Sequence, residues 1–238
     1  MKFTCDSQRA FTRTDLLVII CLVTLFLAIT LTGHADNRGR SQKLSCMDNL
    51  RQIGEGFNAW RFEHGDDQPW NVSPTNGGTY GFSVGLPWIE FTFLSNTVAS
   101  PRILVCPSDT KVLPRTASNW GNGPGGFQNS GYRNNSLSYT LGLHAFLEAP
   151  SELLSSDRDL SVDGLGNTCA YAGLGANIAA GINSYSPATR VGWTNEIHRS
   201  LGNILTGDGT VLEKNTSQLR TFLRIGQNDN GVIHILVP

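Results

Sequence analysis

Residues 16–33 read LLVIICLVTLFLAITLTG, an apolar run without a single charge. At about 1.5 Å per residue a helix of that length rises about 27 Å, close to the thickness of a bilayer core. A helix buried in a soluble core normally shows a polar face. Here only Cys21, Thr24, Thr30 and Thr32 interrupt the apolar side chains. The run therefore reads as a membrane-spanning helix or as the core of a secretory signal. For the second reading, Lys2 and Arg9 precede the run and Gly33-His34-Ala35 offers small residues for cleavage after Ala35. Against it, a signal core is usually about 7–15 residues long. Lys2, Arg9 and Arg13 before the run balance Arg38, Arg40 and Lys43 after it, so basic residues set no orientation.

Beyond the run, Gly33 and Gly39 are weak points in a helix. The helical pattern then resumes. Leu44, Met47, Leu50, Ile53, Phe57 and Trp60 recur every three or four residues, while Arg51, Glu55 and Arg61 fall off that face. The pattern predicts one long, interrupted helix from about residue 12 to about residue 63, ended by His64-Gly65. From residue 65 onward the chain reads as short strands and long loops. β-Forming residues fill 81–95, a proline-bounded apolar run lies in 99–109, and 116–131 is Gly/Asn-rich loop. Residues 136–146 alternate like a half-buried strand. Residues 202–212 read as a hairpin about Asp208-Gly209. Thr216-Ser217 caps a short helix reaching about Arg224, and 231–237 is a final strand.

The 238 residues carry a formal net charge of −1 with only 16% charged side chains, which argues against a nucleic-acid binder. An apolar fraction of 39% with 5 Trp and 11 Phe argues against disorder. Of the 5 cysteines, Cys5 and Cys21 lie in or before the apolar run, and spacing leaves open how Cys46, Cys106 and Cys169 pair. No CxxC occurs, so neither zinc nor a thioredoxin-type role is expected. The 5 histidines show no ligand spacing. His198, beside Glu196 and ahead of the Asp208 turn, is expected to bond loop backbone rather than form a catalytic dyad. No GxSxG elbow or phosphate loop is present. Asp157, Asp159 and Asp163 with Gly164 are a weak calcium candidate. Ser161 and Val162 stand where an EF-hand needs Asp/Asn and Gly, so a turn cluster is expected. The Trp residues 60, 70, 88, 120 and 193 read as core rather than as a sugar cleft.

The segment Arg9-Ala10-Phe11-Thr12-Arg13-Thr14-Asp15 resembles the class III signal of type IV prepilins and type II secretion pseudopilins. In that family a short basic leader ends in a small residue. Cleavage follows it, the new N-terminal residue (usually Phe) is N-methylated, and an acid stands at the fifth mature position. The resemblance implies a leader 1–10, cleavage between Ala10 and Phe11 by a prepilin peptidase, and Asp15 as the acid that pairs with an N-terminal amine during assembly. A carboxylate at the edge of an apolar span is costly unless paired. Ala10 replaces the usual Gly, Asp15 the usual Glu, and Arg13-Thr14 two usually apolar residues.

The resemblance continues through the chain to large-headed pseudopilin-like proteins common in planctomycetes and verrucomicrobia. Cys46-Met-Asp-Asn-Leu-Arg-Gln52 looks like their Cys-x-x-Asn-Leu-x-Gln stretch, and Gln68 to Ser73 like the segment after their helix. Cys106-Pro107-Ser108-Asp109 looks like their Cys-Pro-Ser-Asp motif. Leu137-Ser138-Tyr139, Ser155-Ser156-Asp157-Arg158, and His198 with Asp208-Gly209 in a His-x9-Asp-Gly pattern complete it. The resemblance implies a disulfide between Cys46 and Cys106, closing a loop worth roughly 3–4.5 kcal/mol.

Together these features predict an α+β fold: a long N-terminal helix, its first half (11–33) in the membrane and its second (34–64) packed on an antiparallel β-sheet head (65–238) with long loops. The expected function is that of a pseudopilin or minor pilin subunit of a type II secretion or type IV pilus-like filament. It would sit in a bacterial inner membrane with its N-terminus cytoplasmic and its head periplasmic or on the filament. Prepilin peptidase and other pilin subunits would be its partners. No cofactor, catalysis or nucleic acid is expected. The competing expectations are a secreted or membrane-anchored binding protein, with sugars as one ligand class, cleaved after Ala35, and an exported hydrolase on an anchor.

Overall fold

The computed structural model describes residues 12–81, 86–145, 152–162, 182–185, 191–225 and 233–238, with backbone alone for 28–38, 162, 182–185, 225 and 233. The chain divides into two units, residues 1–41 and 42–238.

Helix α1 covers Arg13–Glu63. It starts at a reciprocal cap: Asp15 N donates to Thr12 Oγ1 (3.3 Å), and Thr12 N donates to Asp15 Oδ2 (3.0 Å). Thr12 is thus the N-cap and Asp15 the third helical residue, a capping box written with Asp. In the first unit Leu16 to Leu27 are exposed on every side, from 43% at Ile19 to 69% at Phe26. The expected membrane span is overturned. Among the described residues no helix is long and apolar enough to cross a membrane.

The second unit is α+β. Its part of α1 buries Cys46, Leu50, Ile53, Phe57 and Trp60. That face starts at Cys46; Leu44, expected on it, is 59% exposed. Gly65 and Asp66 both take positive φ and end the helix, with the Asp66 N–H returning to Arg61 O. Strands β1 (Tyr139–Gly142), β2 (Leu153–Asp157), β4 (Ile182–Tyr185), β6 (Leu201–Thr206), β7 (Val211–Asn215) and β8 (Ile233–Leu236) form one sheet in the order β4-β8-β1-β2-β6-β7, antiparallel throughout. Strands β3 (Leu160–Val162) and β5 (Val191–Trp193) pair as a separate ribbon.

Successive residues of a strand point to opposite faces, and the core divides accordingly. Leu154, Leu205 and Leu236 join α1 and helix α2 (Pro87–Thr92) in one cluster. Leu153, Ile204 and Ile235 join Trp193 and helix α3 (Thr216–Ile225) in the other.

Three expectations change locally. Residues 81–95 were expected to be extended. Pro87, suited to a first helical turn, instead opens α2, which runs on into a 3₁₀ turn at Phe93–Asn96. The apolar run at 99–109 makes a 3₁₀ turn, Pro101–Leu104, rather than a strand. Helix α3 is capped by Asn215, whose Oδ1 accepts from Gln218 N (2.9 Å) while Gln218 Oε1 accepts from Asn215 N (3.0 Å), and not by Thr216-Ser217.

Candidate functional site

The segments around Cys46, Cys106–Asp109, Ser138, Asp157–Arg158 and His198 converge at one place in the second unit, between α1 and the ends of β1, β2 and β6. Cys46 of α1 and Cys106 are joined by a disulfide, both fully buried, with Cα atoms 4.9 Å apart. One turn along α1, Asn49 Nδ2 donates to Val105 O (3.1 Å) and to Tyr139 Oη (3.3 Å), and the Tyr139 hydroxyl donates to Cys46 O (3.4 Å). The helix is therefore clasped to the Val105–Asp109 segment covalently and by hydrogen bonds.

Asp109, the last residue of that segment, is buried and lies in a closed set of donors. Arg158 grips it with two of its three guanidinium nitrogens, Nε to Oδ2 (2.6 Å) and Nη2 to Oδ1 (2.8 Å). Ser138 Oγ donates to Oδ2 (2.9 Å), and the N–H groups of Lys111 and Val112 donate to Oδ1. Burial opposes ionisation, but the Arg158 fork and charge with these further donors hold the carboxyl below the usual range. Glu196 bridges outward, 3.7 Å from Arg158 Nη1 and paired with Lys111 Nζ.

The loop Thr194–Ser200 brings His198 inward. Arg199 and Ser200 both take positive φ, and Ile197 N donates to Asp159 Oδ2. His198 Nε2 stands 3.5 Å from Cys106 Sγ and 3.5 Å from Asp157 Oδ2. Burial, with the Lys43 charge, lowers the imidazole to about 4, so it is neutral at pH 7. Asp157 is fully buried, and burial pushes its carboxyl well above the ordinary value although Asn203 donates to Oδ2 through N (2.6 Å) and Nδ2 (3.0 Å). The contact with His198 is thus not an ion pair. Asp159 is raised to about 6 by burial. The Oδ1 atoms of Asp157 and Asp159 are buried without a hydrogen-bond partner among the described residues.

The predicted residues are distributed unevenly. Cys46, Cys106, Asp109, Asp157, Asp159 and His198 meet here, with Pro107 and Ser108 half-buried beside them. His198 and the Asp208-Gly209 turn do not meet; they flank opposite ends of β6, separated by roughly 20 Å of strand. Asp208 is exposed and locks its own turn, accepting from Thr206 Oγ1 (2.5 Å) and Thr210 N (3.0 Å), with Gly209 at φ +84°. Asp15 is exposed, and its bonds from Thr12 lower its carboxyl. Ala10, Phe11, Asp163, Gly164 and Cys169 lie outside the described residues. Among the described residues no carboxylate joins a three-ligand group; the group found is Cys46, Cys106 and His198.

Asn203 and Glu90 were missed as buried polar groups. Each is a lone polar residue inside an apolar stretch, GNIL and WIEF, and that interruption is the signal that was there to read. Compared with family models, with curated proteins and with solved structures, the chain matches none.

Proposed function

We propose that the chain is a pseudopilin or minor-pilin-like structural subunit, processed by a prepilin peptidase and built into a type II secretion or type IV pilus-like filament. The observation that carries the reading is the exposed apolar start of α1: Leu16, Leu17, Val18, Ile19, Ile20, Leu22, Val23, Leu25, Phe26 and Leu27 all face outward. So large an apolar surface needs a cover. The same helices of neighbouring subunits, packed side by side, supply one without any span of a bilayer. A disulfide persists in an oxidising compartment, which suits an exported head. The buried polar groups bind one another and hold α1 to the sheet, and the reading assigns them no reaction.

Asp15 is the test residue. Asp15→Asn keeps an acceptor for the Thr12 N–H and so keeps the helix start, while it removes the charge that would pair with an N-terminal amine. The chain in the sheared filament fraction of the native cells is expected to fall at least tenfold for Asp15→Asn and Asp15→Ala alike. Wild-type assembly by Asp15→Asn would confine this residue to capping and remove the assembly role.

A further inference from the structure

We infer that the Cys46–Cys106–His198 centre is also a zinc site when its disulfide is reduced, so that α1 is clasped to the head by an S–S bond under oxidising conditions and by a metal under reducing ones. Cys46 Sγ, Cys106 Sγ and His198 Nε2 lie within 4.8 Å of one another. A tetrahedral zinc with Zn–S about 2.3 Å and Zn–N about 2.0–2.1 Å sets sulfur and nitrogen about 3.5 Å apart. Cys106 Sγ and His198 Nε2 are 3.5 Å apart already. Once the S–S bond is reduced, the two sulfurs must separate to about 3.8 Å.

Charge selects the metal. Two thiolates, a neutral imidazole and Zn²⁺ sum to zero, the cheapest balance in a place where both cysteines are fully buried. Thiolate and imidazole together suit zinc among divalent ions. The metal enters by displacement of the Thr194–Ser200 loop, whose Asn195, Glu196, Arg199 and Ser200 are exposed. Sequence spacing hid the site because its ligands are 60 and 92 positions apart.

The chemistry balances with a phosphine as reductant. The phosphine takes the oxygen of one water and gives two electrons to the S–S bond, whose sulfurs take up that water's two protons. Zinc then displaces both thiol protons to solvent.

The test is made on the full chain, reduced by a phosphine under nitrogen, desalted and titrated with Zn²⁺ alone. Comparison with Cys46→Ser/Cys106→Ser subtracts the other cysteines. The reduced wild type is expected to hold one zinc per chain more than that variant, the oxidised wild type none more, and His198→Gln to bind at least tenfold more weakly than the reduced wild type. Reduced wild type that holds no extra zinc would overturn the site. So would His198→Gln binding as tightly as wild type, which is also the result expected if a reduced, unfolded chain merely captures zinc through its thiols.

Discussion

Asp109 shows what a single side chain does here. Taking a carboxylate out of water costs several kcal/mol, and the Arg158 fork with Ser138 and two backbone N–H groups offsets it. Glu90 has no such cation among its hydrogen bonds. It is buried in α2, accepts among the described residues only from Thr79 Oγ1 (2.9 and 3.0 Å), and burial raises it to about 7 from 4.5. An unfolded chain ionises Glu90 above its ordinary value, while the folded chain keeps the proton until about 7. Glu90 therefore takes stability away as pH rises from 4.5 to 7, about 3 kcal/mol in all, with no further loss above. Glu90→Gln is expected to remove this slope: its stability relative to wild type, from urea unfolding, should rise between pH 4.5 and 7 and then level. A constant difference across that range would contradict the burial argument.

At the scale of elements, glycines show how closely the layers approach. A Cβ on Gly202 of β6 would lie 2.5 Å from three ring carbons of Trp193 on β5, a rigid indole buried beside α3. A Cβ on Gly56 of α1 would lie 2.7 Å from Leu94 Cδ2, the end of a side chain that can turn. Gly202→Ala is therefore expected to cost about 2–3 kcal/mol. Gly56→Ala, which also gains helix propensity of up to about 1 kcal/mol, is expected within about 1 kcal/mol of wild type. Equal losses in thermal unfolding would refute this contrast. The β6–β7 hairpin was legible because Asp208-Gly209 encodes its turn locally. Strand β2 was not: in Leu153–Asp157 every residue is buried, and Ser155 and Ser156 bond Thr140 of β1, so no alternation appears. Helix α2 is one short proline-started turn among aromatics that read equally well as strand.

Across the whole molecule, the second unit is held by partners distant in sequence. Cys46, Asn49, Asp109, Ser138, Arg158 and His198 were legible as separate short motifs. Their convergence was not, because no local period places residues from α1, β1, the end of β2 and a loop together. Closing a separation of 60 residues, the disulfide is expected to contribute about 4 kcal/mol. Cys46→Ala/Cys106→Ala should lower chemical stability by that order and still fold, since Asn49 and Tyr139 keep their bonds; a loss under 1 kcal/mol would show the clasp to be redundant. Assembly as a processed subunit would leave its mark at the N-terminus, which mass spectrometry of the mature protein from its native source reads. An N-methylated chain beginning at Phe11 is the predicted result. A chain beginning at Asp36, released without the apolar run, would contradict it.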